Sequence, residues 1–172
     1  VLILLLGLGC GDELSPRPVT SVPVQAPAAP VSLARARQAL REERFEAALQ
    51  AFDALVAADP SLEMRIQRAH ALRIAGRADA ARSAYTALTR DHPGAVLPHL
   101  ALGELARTEE RWADALPHLD RAIALAPDSP VPWEHRAVCL WALDQREAAL
   151  QALDEAEARG SDQVGVLRPG MR

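Results

Sequence analysis

Basic tracts are missing from this sequence. Its charged residues are interspersed rather than blocked, the net charge is −4 and the pI lies near 5.7, which excludes a nucleic-acid binder that relies on bulk positive charge. Cysteine is scarce too: Cys10 and Cys139 alone cannot build a disulfide framework. Aromatic residues make up only 3% of the chain, so each one is informative. The apolar run over residues 1–9, VLILLLGLG, is too short to span a bilayer as an ordinary helix. There is no nucleophile elbow, no phosphate-cradling glycine loop and no HExxH pair, so no motif indicates an enzyme. The carboxylates recur at helical spacing, as solvated faces require, and not as a catalytic pair.

What is present begins with that apolar run, which has the length of a signal-peptide h-region and ends on Gly9-Cys10. The context LGLGC-GDE resembles the lipobox of bacterial lipoproteins. The resemblance implies that residues 1–9 are what remains of a signal peptide and that Cys10 carries a lipid. Gly11, not Asp, follows the cysteine. By the rules of that family the protein then sorts to the outer membrane, facing the periplasm. Residues 10–31 read as a tether, because residues 11–31 hold five prolines and no aromatic. Such a segment extends at about 3.1 Å per residue and reaches up to roughly 60 Å.

From Ser32 onwards the chain repeats itself. Asp59-Pro60, His92-Pro93 and Ala126-Pro127 recur at 33- and 34-residue intervals, the period of stacked helical hairpins. With each proline set as position 32, Ala48, Ala81, Ala115 and Ala149 all stand at position 20. Position 8 holds Ala36, Ala69, Gly103 and Ala137, and position 24 holds Phe52, Tyr85, Leu119 and Leu153. Each unit thus carries a small residue in each half, where two helices could approach closely. Leu102-Gly103, Trp112, Ala115, Ala122 and Pro127 reproduce the signature of the tetratricopeptide repeat, which this sequence resembles. The expected architecture is an all-α solenoid of four repeats in a right-handed superhelix, spanning 32–161. Its units cover about 29–61, 62–95, 96–129 and 130–161, and residues 162–172 are expected to form a flexible tail. The pattern departs from the family's in places: Glu43 stands where a turn glycine such as Gly76 belongs, Ser161 replaces the fourth proline, and Pro117 falls inside an expected helix. Ser32 is the expected N-cap of the first helix, Asp128-Ser129-Pro130 that of repeat four, and Arg159-Gly160 the final stop.

The resemblance further implies a concave groove built from the first helix of each repeat, faced by positions 2, 5, 9, 12 and 13. Carried over, these give Arg37 and Arg41 in repeat one, His70 and Arg73 in repeat two, Glu104 and Arg107 in repeat three, and Glu134, Val138 and Trp141 in repeat four. Arginine predominates in three of the four, which suits an extended, acidic segment of a partner protein with one apolar anchor. The Lys and Asn set that grips chaperone C-termini in some members is not reproduced, since Leu33 and Arg37 stand at its first two positions. By position, Trp133 should pack inside its hairpin and Trp141 should face the groove. The function implied is a non-enzymatic interaction scaffold, held at the membrane by its lipid, with no cofactor and no nucleic-acid partner. The alternatives are a docking or regulatory subunit of an envelope enzyme complex, or an array that binds metal through His135 and Cys139. Those two lie four residues apart, the spacing of a metal half-site, with His99 and His118 as further candidate ligands and a buried, inert thiol as the plainer reading of Cys139.

Overall fold

A computed structural model describes residues 31–170. The expectations for residues 1–9, for Cys10 and for the tether fall on residues outside that range. The described residues form helices only: α1 (Leu33–Arg41), α2 (Phe45–Ala58), α3 (Leu62–Ile74), α4 (Ala78–Asp91), α5 (Val96–Thr108), α6 (Trp112–Leu125), α7 (Pro130–Ala142), α8 (Arg146–Ala158) and α9 (Val164–Gly170). Each packs chiefly on the helix before and the helix after it, and α5 also touches α7. The result is four helical hairpins in a row.

The small residues explain the hairpins. Ala36, Ala69 and Ala137 at position 8, and all four alanines at position 20, have no exposed surface. Position 24 fills the space between them with Phe52, Tyr85, Leu119 and Leu153, each at most 2% exposed. In repeat three the approach is close enough to require glycine: a Cβ built on Gly103 would lie 2.7 Å from Leu119 Cδ2. No repeat could bury this surface alone, so stability is shared between neighbouring units.

Each hairpin turns in the same way. The first helix ends with a residue in the left-handed region: Glu43 (φ 56°), Gly76 (φ 71°), Glu110 (φ 58°) and Asp144 (φ 59°). Each of these amides donates to a carbonyl three residues back, as in Glu43 N–H to Leu40 O at 3.1 Å. The next amide reaches five residues back, as in Arg44 N–H to Ala39 O at 2.9 Å. This pair of bonds is a Schellman stop. The missing glycine at Glu43 therefore changes nothing in the turn: three of the four turns use an acidic residue there. Glu46, Asp79, Asp114 and Glu147 then open the second helices, where a carboxylate complements the positive end of the helix dipole.

Other local expectations fare unevenly. The Ser32 hydroxyl caps α1 by accepting from the Arg35 amide at 3.3 Å, and Gly160 ends α8 with φ 82°. Helix α7 does begin at Pro130, but the Ser129 side chain makes no capping bond. Pro117 sits inside α6 on its exposed face, one turn beyond the positions where a missing N–H costs nothing. The helix continues through it.

The tail departs most from expectation. Val164–Gly170 form α9 instead of a loose end; Val164 is only 4% exposed and packs with Ala152, Leu153 and Ala156 of α8. Arg168 pairs with Asp154 at 2.8 Å and with Glu157 at 2.9 Å. The acidic face of α8 is thus partly covered. Val164 follows Pro130 by 34 residues, as Pro130 follows Val96 and Val96 follows Leu62, so α9 stands where the first helix of a further unit would start.

Candidate partner-binding groove

The first helices α1, α3 and α5 line one face with two cavities. One, of about 270 Å³, is walled by Ile66, Gln67, His70 and Arg73 of α3, by Tyr85, and by Leu97, Leu100, Ala101 and Glu104 of α5. The other, of about 320 Å³, is walled by Arg37, Leu40 and Arg41 of α1, by Phe52, and by Gln67, His70 and Ile74 of α3. Gln67 and His70 belong to both, so the cavities join into one groove across three repeats. Its floor is apolar and accessible: Leu97 is 54% exposed and Ile74 41%.

Arg37, Arg41, His70, Arg73 and Glu104, five of the groove residues read from the sequence, therefore meet here. Their charges are not equivalent. Arg73 is engaged by its own fold, 3.6 Å from the Glu104 carboxylate and 2.8 Å from His70 Nε2. Its buried Nε has no hydrogen-bond partner. Burial and then the Arg73 cation push His70 below the ordinary imidazole range, so at neutral pH this ring is uncharged. Burial pushes the Tyr85 phenol up to about 12, which keeps it neutral as well. Arg37 and Arg41 differ: both are exposed, and neither forms an ion pair with any described residue.

The remaining four residues do not line these two cavities. Arg107 is half-buried, its Nε has no partner, and its charge acts on His135 and Cys139. Glu134 accepts a hydrogen bond from the Ser161 hydroxyl. Val138 and Trp141 pack against the core of repeat four, with Trp133, Leu140 and, from α8, Leu153 and the buried alanines. Burial alone does not divide the two tryptophans: both are half-buried on the same cluster. Each also lies under an arginine, Arg159 at 4.8 Å from the Trp133 ring and Arg146 at 5.3 Å from Trp141.

Nor does the metal alternative assemble. Among the described residues no three of His, Cys, Asp and Glu come together as ligands. Cys139 has no exposed surface, and burial pushes its thiol up, away from the thiolate a metal needs. His99 and His118 face each other with ring centroids 6.2 Å apart, in a different repeat from Cys139.

Sequence reasoning missed Ile66, Gln67, Ile74, Leu97 and Leu100. The signal was available, because Leu97 stands at position 2, Ile66 and Leu100 at position 5, and Ile74 at position 13 of the same register. None of them carries a charge, the feature that marks most of the other groove positions.

Comparison with known proteins agrees with this geometry. Family models of the tetratricopeptide repeat match residues 33–96, 66–130 and 106–165. The chain belongs to the tetratricopeptide repeat family. No curated protein matches it significantly. Among solved structures, this tetratricopeptide repeat chain is similar to MamA of Desulfovibrio magneticus RS-1, with 19% identity, a TM-score of 0.64, and 74% of this chain and 72% of that one covered. It is also similar to a thermophilic repeat protein of Thermus thermophilus, with 21% identity, a TM-score of 0.63, and 74% and 72% covered. A chain of the CopN–Scc3 complex matches at 17% identity with a TM-score of 0.57, over 66% of this chain and 68% of that one. At these identities the likeness is one of fold: an all-α tetratricopeptide solenoid, a fold generally used to hold other proteins.

Proposed function

We propose that this protein is a non-enzymatic scaffold of the bacterial cell envelope, anchored to the membrane by a lipid on Cys10, which holds an extended segment of a partner protein in its concave groove. The observation that carries the reading is the continuity of the two cavities across α1, α3 and α5. Together they offer accessible apolar surface beside unpaired cations. Apolar patches rimmed by polar groups mark interaction sites. That a chain with this fold was solved in the CopN–Scc3 complex supports partner binding as its use. The envelope location rests on LGLGC alone.

Two experiments test the halves separately. A photo-crosslinking amino acid placed at Leu97, expressed in the native cell, should trap a partner that the same group placed at Thr86 on α4, outside the groove, does not. Equal capture at both places would move recognition out of the groove. Labelled fatty acid should enter the wild-type chain and not Cys10→Ser, which should leave the membrane fraction. A wild-type chain that never takes up label removes the anchor and leaves the groove reading untouched.

A further inference from the structure

We infer that the segment held in this groove carries two carboxylates two residues apart, read by Arg37 and Arg41, with an aliphatic side chain beyond them that enters the cavity between α3 and α5. The inference rests on the groove reading above and makes it specific.

Selection of α1 as the acid-reading end follows from which cations are already used. Every basic residue of this chain is an arginine, 19 in all. Most of those on the array are spent on its own carboxylates: Arg65 on Asp91, Arg68 on Asp53, Arg77 on Glu46, Arg136 on Asp120. Within the groove Arg73 is balanced by Glu104, and Arg107 is half-buried, with its Nε out of contact with solvent. An incoming carboxylate at α5 would meet Glu104 as a like charge. Helix α1, by contrast, contains three arginines and no acidic residue, and two of them line the cavity it shares with α3.

Spacing gives the motif. Arg37 and Arg41 are one helical turn apart, about 6 Å along the axis. In an extended segment, residues i and i+2 project to the same side at about 6.6 Å. Alternate residues therefore match the two guanidinium groups, each of which can hold a carboxylate in a two-pronged bond. Adjacent residues project to opposite sides and cannot. Ile66, Leu97 and Leu100 offer an apolar seat in the neighbouring cavity, which the segment reaches by turning across α3 once past the two arginines.

The test uses a symmetric probe, so that the direction of binding does not matter: the terminally blocked, fluorescently labelled peptide Leu-Ser-Ala-Asp-Ala-Asp-Ala-Ser-Leu. Its control, Leu-Ser-Ala-Ala-Asp-Asp-Ala-Ser-Leu, has the same composition with the acids adjacent. The probe should bind at least fivefold more tightly than the control. Arg37→Gln and Arg41→Gln should each weaken the probe about fivefold, the effect of one exposed ion pair of roughly 1 kcal/mol. Neither variant should change binding of the Asn-for-Asp probe. Neither arginine forms an ion pair with a described residue, and Arg41 acts on the exposed Glu42 carboxylate only at a distance, so both variants should melt close to wild type. Equal affinity for probe and control, or indifference to both arginine variants, overturns the inference. Leu97→Ser tells the two failures apart. If it weakens the probe while the arginine variants do not, the groove stands and its acid reading falls; if it too has no effect, the groove reading falls with it.

Discussion

Gly103 and Leu119 meet so closely that the pair sets the local cost of any added atom. Position 8 is alanine in the other three repeats, so Gly103→Ala looks conservative from the repeat pattern. The added methyl would nonetheless fall 2.7 Å from Leu119 Cδ2 and 2.8 Å from its Cγ, and Leu119 has no exposed surface into which to retreat. Overpacking of this kind costs about 1–3 kcal/mol, and Gly103→Ala should lower the melting temperature accordingly. An unchanged melt would mean that α5 and α6 separate freely. The turns predict the opposite sign. Glu43 and Glu110 hold φ values of 56° and 58°, a region that costs a side chain-bearing residue about 1–2 kcal/mol, partly offset by the greater chain entropy of glycine. Glu43→Gly should therefore stabilise by a few tenths to about 1 kcal/mol, seen as a higher denaturant midpoint with an unchanged slope. Glu110→Gly should do the same. These two residues also show where the sequence is legible at this scale. The alanines at position 20 declared their burial by recurrence, whereas a left-handed glutamate carries no signal except its place in the register. Ile74 and Leu97 were hidden for a related reason: an apolar residue in an amphipathic helix reads as core until its neighbours are placed.

Between elements, the register proved a better guide than composition. Counting 34 residues from Pro130 lands on Val164, where α9 begins, but Gly165, Pro169 and Gly170 read locally as a loose end. Tertiary burial of Val164 against α8 overrides that local preference. A chain ended after Ser161 should then lose more than its tail. Ala152, Leu153 and Ala156 would be uncovered, Asp154 and Glu157 would lose Arg168, and the bond from Ser161 to Glu134 would be left at the chain end. Hydrogen exchange should show lost protection in α7 and α8 with α1–α4 unchanged, since each repeat leans only on its neighbours. Uniform loss along the whole array would instead show that the repeats unfold as one unit. Arg168→Ala should reproduce only a small part of the effect, because its two ion pairs are largely exposed and worth little each. The helices themselves were all legible except this one, since the small-residue pattern and the closing prolines fix eight of them. Where the groove is open was not, because that depends on which arginines the fold consumes.

At the scale of the whole array, the histidines tie stability to acidity. Burial lowers the ring pKa of His70, His99, His118 and His135 below the ordinary value of 6.5, with Arg73 adding to it at His70, His118 and Arg121 at His99, and Arg107 at His135. Each folded ring is thus a poorer base than its unfolded counterpart. Between the folded and unfolded values the unfolded chain binds more protons, so stability rises with pH in that window. The contribution is fully present above about pH 6.5 and is lost as pH falls through the folded values. The carboxylates whose values are lowered, Glu42 and Asp91, lose their contribution only at lower pH, below the range where the histidines act. The melting temperature should therefore fall steadily from pH 7 to pH 5, and His99→Gln and His135→Gln should each flatten that slope. Location makes the prediction sharper. Three of the four rings lie in α5, α6 and α7, and His99 and His118 face each other, so protonating both sets like charges side by side next to Arg121. In a linear array the strain stays near its source, so at pH 5 amide protection should fail first in α5–α7 while α1 and α2 still resist exchange. A melting temperature that holds level or rises towards pH 5 would show that the buried rings take up protons as readily folded as unfolded; loss beginning at α1 would place the acid-sensitive contacts elsewhere in the array.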